Sequence, residues 1–206
     1  AVHPKKYLEE FKALSDIDGG LLGLRTPFAR GGFDIAALSS GLAISAISDV
    51  LKGKYKNSYS LSRPPGHHCL PDYPNGFCLL ANIAVAIEHS IKNKLGKKFC
   101  VIDWDVHHGN GTEAIFYNRN DVLTISIHQE RNYPVDTGME SHQGKQEGLG
   151  YNVNLPLPAG SGHQAYLNLF DRVIDPIVSN YSPDIIIVAC GFDAAMIDPL
   201  SSMLCS

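Results

Sequence analysis

"VIDWDVHHGNGT", Val101 to Thr112, sets two acids and two histidines within six residues, directly after an apolar run. Asp103, Asp105 and His107 alternate, and on a strand or extended turn alternate side chains project to the same side. Two carboxylates and an imidazole therefore face one point, and His108 faces away. Gly109 and Gly111 suit a sharp exit turn. The bland reading is a strand end with solvated polar residues. Three metal-compatible side chains in one alternating register argue against it.

"KFCVI", which runs into this motif, is a continuous apolar strand, as expected in a parallel sheet covered on both faces. Outward from it, helix and strand patterns alternate. Val2 to Leu14 reads as a short amphipathic helix. Phe33 to Leu51 reads as a long helix with a small-residue face, and Leu79 to Leu95 as another. Gln164 to Tyr181 reads as a helix with Leu167, Leu169, Phe170, Val173, Ile174 and Ile177 inward. Glu113 to Tyr117 is a short helix at best. "SYSLS", "DVLTISIH", "YNVNLPL" and "DIIIVACGFDA" read as strands, the last the most hydrophobic. The expected class is α/β, with a mostly parallel central sheet flanked by helices on both faces.

Ligands in such sheets bind beyond the carboxyl ends of the strands. "RPPGHH" follows "SYSLS", "DWDVHHGN" closes "KFCVI", "SIHQE" ends "DVLTI", and "GFDA" follows "DIIIVAC". Four strands thus deliver polar residues to one edge.

A length of 206 residues fits one domain better than two. A net charge of −4 and the lack of any basic run exclude a polyanion-binding surface, so no direct nucleic-acid partner is expected. No segment is expected to approach a membrane span, and no signal-peptide pattern opens the chain. Five cysteines without a tight CxxC pair argue against a disulfide framework. Cys69 and Cys78 flank a loop and could pair. Reduced thiols in a cytoplasmic compartment are the simpler reading, with a nuclear setting left open for a eukaryotic source.

Asp105 and His107 are two metal ligands, and a catalytic zinc site wants about three plus an open position. Asp193, at the end of a strand too buried to carry an acid for solubility, is the third candidate; a buried carboxylate is normally paired or metal-bound. Capping a helix at the next turn is the alternative for Asp193. Oxygen and nitrogen ligands together accept zinc, iron(II), manganese or cobalt. His67 and His68 follow a rigid Pro-Pro-Gly turn, an unusual place for core filler. An imidazole beside an activated water takes its proton and hands it to a leaving amine. Each needs a partner on its other nitrogen, and Asp103 and Asn110 are placed to be those partners. His3, His89, His142 and His163 read as incidental.

"RPPGHH", "NGFC", "DWDVHHGNGT" and "GFDA", in this order, resemble the histone deacetylase family, above all its class II branch and the bacterial deacetylase-like amidohydrolases. "HQERNYPVDTG" and "YNVNLPLPAGSG" resemble the bacterial group in particular. The resemblance implies an arginase/deacetylase-like fold and hydrolysis of an N-acetyl amide by a zinc-bound water. It implies zinc on Asp105, His107 and Asp193. It matches His67 and His68 to the tandem histidines, His68 as general base and then acid, with Asp103 behind the first and Asn110 behind the second. Gly76 and Phe77 match one wall of an acyl-lysine tunnel, and Tyr133 the facing aromatic wall. A structural potassium is implied on Asp103, Asp105, His107, Ser126 and Ile127, largely through backbone oxygens. A second monovalent site would use carbonyls of Phe116, Arg119, Val122 and Tyr151. The implied substrate is an acetylated protein lysine or a small acetylated amine.

The chain departs from the family in length. It starts inside the usual N-terminal part and stops shortly after "GFDAAMIDPL", so a partial catalytic domain over 1–206, incomplete at both ends, is expected. The family's oxyanion-stabilising tyrosine has no match, since the nine tyrosines all lie upstream of its place. Losing such a donor costs about 100- to 1000-fold in turnover, so the expectation is an intact metal site on a poor enzyme. Two other readings stand. A catalytically silent protein would bind an acyl-lysine or a partner without turnover. A binuclear manganese ureohydrolase of the arginase kind would need further ligands, and Asp103 is the only obvious spare.

Overall fold

The computed structural model describes residues 2–206. They form two compact units: one runs to Gly96 and includes Asn110–Ile115, and the other comprises Lys97–Gly109 and Phe116–Ser206.

In the first unit, helix α1 (Lys5–Ile17) buries Tyr7, Phe11 and Ser15, one residue per turn on one stripe. Phe11 meets Phe28 and Phe33 edge-on, with ring centroids 4.8 and 5.1 Å away. Phe28 lies on the short antiparallel pair β1 (Gly19–Leu21) and β2 (Pro27–Ala29).

Helix α2 (Gly32–Leu51) packs against α3 (Asn82–Lys92) through a polar seam. Ser39 Oγ donates to the Pro64 carbonyl at 2.8 Å, and Ser40 Oγ to Asn82 Oδ1 at 2.6 Å. Asn82 Nδ2 donates to Ser39 Oγ and to the same Pro64 carbonyl. This seam fixes the Pro-Pro-Gly turn ahead of the tandem histidines. Contrary to the sequence reading, α2 is long and apolar enough, by length and composition, to cross a membrane. The small and branched residues between its serines raise its hydropathy.

"SYSLS" forms no strand. Its side chains alternate, yet alternation makes a strand only where a neighbouring segment completes a ladder, and among the described residues none does so here. His3, read as incidental, is a buried structural histidine: the Ala81 N–H donates to its Nε2 at 3.0 Å, so Nδ1 carries the proton and donates to the Pro71 carbonyl at 2.7 Å. Burial holds its pKa below the usual imidazole value, against the pull of the Pro71 carbonyl.

The second unit is built on a parallel four-stranded sheet, in the order β5 (Asn152–Leu157), β4 (Val122–Gln129), β3 (Phe99–Asp103), β6 (Ile185–Ala189). Every residue of β3 is buried, as its apolar run predicts for a central strand. On one face Cys100, Ile102, Leu123, Ile125 and Ile127 pack against a helical run of α5 (His163–Leu169), a π-helical turn (Phe170–Ile174) and α6 (Asp175–Tyr181). Ile174, Tyr181, Leu169, Phe170 and Ile177 face that core. Leu167, expected inward, is exposed, because the neighbouring Tyr166 takes the inward position.

β6 also departs from expectation. Among the described strands it lies outermost in the sheet, with Ile185 and Ile187 buried and Ile186 and Val188 exposed. A continuous hydrophobic run does not distinguish a central strand from an edge strand. None of the five cysteines is in a disulfide. Burial pushes the Cys69 and Cys100 thiols up to about 12.

Candidate metal and proton-transfer site

Parallel pairing brings the carboxyl ends of three predicted strands, β3, β4 and β6, to one edge. Asp103 is in register with Ser126 on one side and Ala189 on the other. Beyond that line the chain turns on its own acids. The Asp105 N–H donates to Asp103 Oδ1 at 3.2 Å, and the His107 N–H to Asp105 Oδ1 at 2.9 Å. Aspartates make such turns readily, because their side chains reach backbone N–H groups two residues on. The alternation of Asp103, Asp105 and His107 thus becomes two consecutive turns that keep Asp105 and His107 at the edge while Asp103 is buried.

Asp193, four residues past the end of β6, joins them. Its Oδ1 accepts the Val106 N–H at 2.8 Å, and its Oδ2 lies 2.9 Å from His107 Nδ1. It caps no helix; the backbone it holds belongs to the segment between Asp105 and His107. Asp105 Oδ1 lies 3.0 Å from the same Nδ1. One donor atom from each of Asp105, His107 and Asp193 falls within 4.8 Å of the others. Around a tetrahedral zinc, donor atoms sit about 3.4 Å apart, so this set fits such an ion with little movement. A Cβ on Gly191 would run into the Asp105 carboxylate, so the chain reaches Asp193 over a residue with no side chain. The three side chains are partly exposed, which leaves one side of the cluster open. Burial opposes a charge on His107, but its hydrogen bonds to the Asp105 and Asp193 carboxylates outweigh it and hold its pKa up at about 9.

Tyr133 stands beside this cluster, its ring edge-on to His107 with centroids 6.1 Å apart. On the same side of the sheet as Asp103 lie Ser126 and His128. Among the expected potassium ligands, Asp103 and Ser126 are register partners, and Ile127 follows on β4. Of the second expected set, the Phe116 carbonyl accepts the Arg119 N–H, and the Tyr151 carbonyl accepts the Thr124 N–H.

The tandem histidines belong to the first unit. Their rings lie 3.9 Å apart between centroids, and both are buried. His68 Nδ1 lies 2.8 Å from Asn110 Oδ1, the partner the sequence suggested. Asn110 opens the short helix α4 (Asn110–Phe116), whose Gly111 and Thr112 N–H groups both donate to the His67 carbonyl. Those are orphan donors of a helix start, satisfied here by the backbone of the histidine pair. A Cβ on Gly111 would overlap the Cys69 backbone, which explains a glycine at that point in "GNGT".

Gly76 and Phe77 form the corners of a two-residue turn between Asn75 and Cys78, with φ of 50° and 65°. Positive φ at both corners is the type I′ pattern, unfavourable for a bulky residue at the second. The Leu24 and Arg25 carbonyls hold the turn by accepting the Gly76 and Phe77 N–H groups. The Phe77 ring is more than half exposed. An exposed aromatic on a strained backbone is a feature of contact sites.

Three residues at this edge, His108, His128 and Tyr166, make contacts that the sequence reading did not foresee. His108, read as facing away from Asp103, Asp105 and His107, is buried against His128, with ring centroids 4.7 Å apart. Tyr166 packs on Val106, Ala194 and Met203, and its hydroxyl is buried with no hydrogen-bond partner among the described residues. Burial, with Cys205 and the Asp193 and Asp105 carboxylates adding to it, pushes the Tyr166 phenol up. No local spacing signals either contact.

Residues 1–206 match the family described as the histone deacetylase domain. A histone deacetylase-like amidohydrolase from Pseudomonas aeruginosa is 52% identical over 202 residues, which cover 98% of this chain and 53% of that protein. The crystal structure of the HDA15 HD domain superposes with a TM-score of 0.93 at 37% identity, covering 99% of this chain and 60% of the other. An acetylpolyamine aminohydrolase from Burkholderia pseudomallei superposes with a TM-score of 0.88 at 30% identity, covering 98% and 68%. The chain spans about half the length of the curated relatives it matches. By sequence and by fold alike, this chain belongs to the histone deacetylase family.

Proposed function

We propose that the protein hydrolyses N-acetyl amides, with the substrate an acetylated lysine side chain or a small acetylated amine. The observation that carries this reading is the convergence of Asp105, His107 and Asp193 on one point at the edge of the sheet. Asp105 and Asp193 each keep a carboxylate oxygen near His107 Nδ1, and the backbone N–H groups of His107 and Val106 hold them there. The set would hold zinc, which supplies Lewis-acid polarisation and an acidic bound water.

The chain's own residues do the rest. An amide oxygen of Asn110 is an acceptor only, so His68 Nδ1 carries the proton and Nε2 is left as a base. An Nε2 base takes a proton from water and returns it to the leaving amine. His67, its ring tilted against it, and Asp103, at the end of β3, take the supporting roles that the family resemblance gives them. The family resemblance gives Phe77 and Tyr133 the walls around the acyl group, and Gly76 lets the Phe77 turn form. Potassium on the Asp103, Asp105, His107, Ser126 and Ile127 oxygens would brace the same strand ends, and the Asp103–Ser126 register supports that assignment. The names of the relatives support both substrate classes: one is a deacetylase-like amidohydrolase and another an acetylpolyamine aminohydrolase.

Metal content tests the reading against a two-metal ureohydrolase. One zinc per chain, lost in Asp193→Ala together with acetate release, is the expected result. Two metals per chain would overturn it.

A further inference from the structure

The loop that carries Tyr133 is gripped by side chains that the proposed chemistry leaves unused. Thr137 Oγ1 donates to the Pro134 carbonyl at 2.8 Å. A hydroxyl has one hydrogen, so the same oxygen accepts from His108 Nδ1–H, 2.9 Å away. The His108 N–H donates to the Tyr133 carbonyl at 3.2 Å. One residue thus holds the loop twice, by backbone at Tyr133 and by ring at Thr137.

His128, on β4, holds the far side. Its Nε2 lies 2.9 Å from the Gly138 carbonyl, which only accepts, so Nε2 carries the proton. Nδ1 then accepts from Ser126 Oγ at 3.0 Å, and Ser126 Oγ accepts the Gly109 N–H at 3.4 Å. Gly138 sits at φ 73°, and a Cβ there would strike His128 Nε2 and lie 2.8 Å from His108 Cγ. The loop is seated on the histidine pair without room for a methyl group. Both imidazoles are 2% exposed, and the bonds at His108 Nδ1 and at both His128 nitrogens offset part of the cost of burying such rings.

We propose that His108 and His128, acting through Thr137 and the Gly138 carbonyl, are positioning residues that set the Tyr133 ring against His107. His107 and His108 are adjacent, so one stretch of backbone carries both a metal ligand and the anchor of the neighbouring aromatic wall. The role of that wall rests on the acetyl-amide reading above; the clamp itself rests on these contacts.

Thr137→Val tests it. The side chain keeps its shape and loses both the acceptor for His108 and the donor to Pro134. A wall that grips ground state and transition state alike changes binding more than turnover. KM for an acetyl-lysine peptide rises about tenfold in Thr137→Val, kcat moves less than about threefold, and Thr137→Ser brings KM back. Amide hydrogen exchange across residues 131–138, measured without substrate, speeds up in the valine variant and recovers in the serine variant. Unchanged exchange and unchanged KM in Thr137→Val overturn the proposal, as does an equal loss of kcat and kcat/KM in both variants. Should the wild-type chain release no acetate, the acetyl-amide reading fails on its own. Exchange then decides the clamp: protection lost in valine and regained in serine upholds it, and protection unchanged overturns it.

Discussion

His68 Nδ1 and Asn110 Oδ1 lie 2.8 Å apart, so a neutral amide, with no charge of its own, fixes which nitrogen of the histidine carries the proton. Asn110→Ala removes that acceptor and lets the ring take either tautomer. The expected loss in kcat is about 10- to 100-fold, the usual scale for a partner behind a reacting imidazole, with bound metal unchanged. Steady-state kinetics beside metal analysis checks it. Activity within twofold of wild type would remove Asn110 from the mechanism.

His107 makes metal binding depend on pH. Without metal its pKa is raised to about 9, from 6.5, because the two carboxylates outweigh the cost of its burial. A ligating imidazole must be neutral, so zinc displaces that proton. Apparent zinc affinity rises roughly tenfold per pH unit up to about pH 9 and then levels off. The metal-free chain behaves in the opposite sense. A raised folded pKa stabilises through the protonated form, so this contribution is complete below pH 6.5 and disappears as pH rises through about 9. Competition with a chelator at several pH values, and thermal unfolding with the chelator in excess, measure the two trends. A flat affinity profile between pH 6.5 and 9 would count against the geometry of the triad.

Phe77 sets stability against function. Its exposed ring sits on a backbone with φ 65°. Asparagine tolerates that conformation, and a bulky residue there costs roughly 1–2 kcal/mol. Phe77→Asn is therefore expected to stabilise the chain by about 1 kcal/mol in denaturant unfolding. If the ring lines the acyl group, KM rises in the same variant. A variant that is more stable and unchanged in KM would take Phe77 out of the binding wall.

Tyr166 carries a buried hydroxyl with no hydrogen-bond partner among the described residues. Leaving such a group unpaired costs about 1–3 kcal/mol, and a phenylalanine keeps the packing on Val106, Ala194 and Met203. Tyr166→Phe is expected to be neutral or stabilising. A loss of more than about 1 kcal/mol would show that the hydroxyl is engaged.

The site was legible where chemistry follows local spacing. The alternation of Asp103, Asp105 and His107 survives as two successive aspartate turns, and an acid four residues past a hydrophobic strand lands where a third ligand is wanted. Parallel sheets gather their strand ends at one edge, so Asp193 could be placed without knowing its contacts. What escaped depends on partners far along the chain. His108 reads only as turned away from Asp103, Asp105 and His107, and its partners Thr137 and Gly138 come from a loop some thirty residues on. "SYSLS" alternates like a strand, and only a neighbour would have made it one. β6 is as apolar as β3 yet lies outermost among the described strands, because order within a sheet is not written in any one strand. Tyr166 displaced Leu167 from the core because a tyrosine ring buries as much apolar surface as a leucine.

On the proposed reading, Asp105, His107 and Asp193 would hold a metal that serves acetyl-amide hydrolysis, with His68 as base. Acetate release from an acetyl-lysine peptide by the zinc-loaded chain tests it most directly, beside the same chain stripped by a chelator and beside His68→Ala. Release by the loaded wild-type chain, lost in both controls and restored by zinc to the stripped protein, is the predicted result. Release that survives the chelator, or that His68→Ala leaves intact, would contradict the account, and so would one zinc bound per chain with no acetate formed.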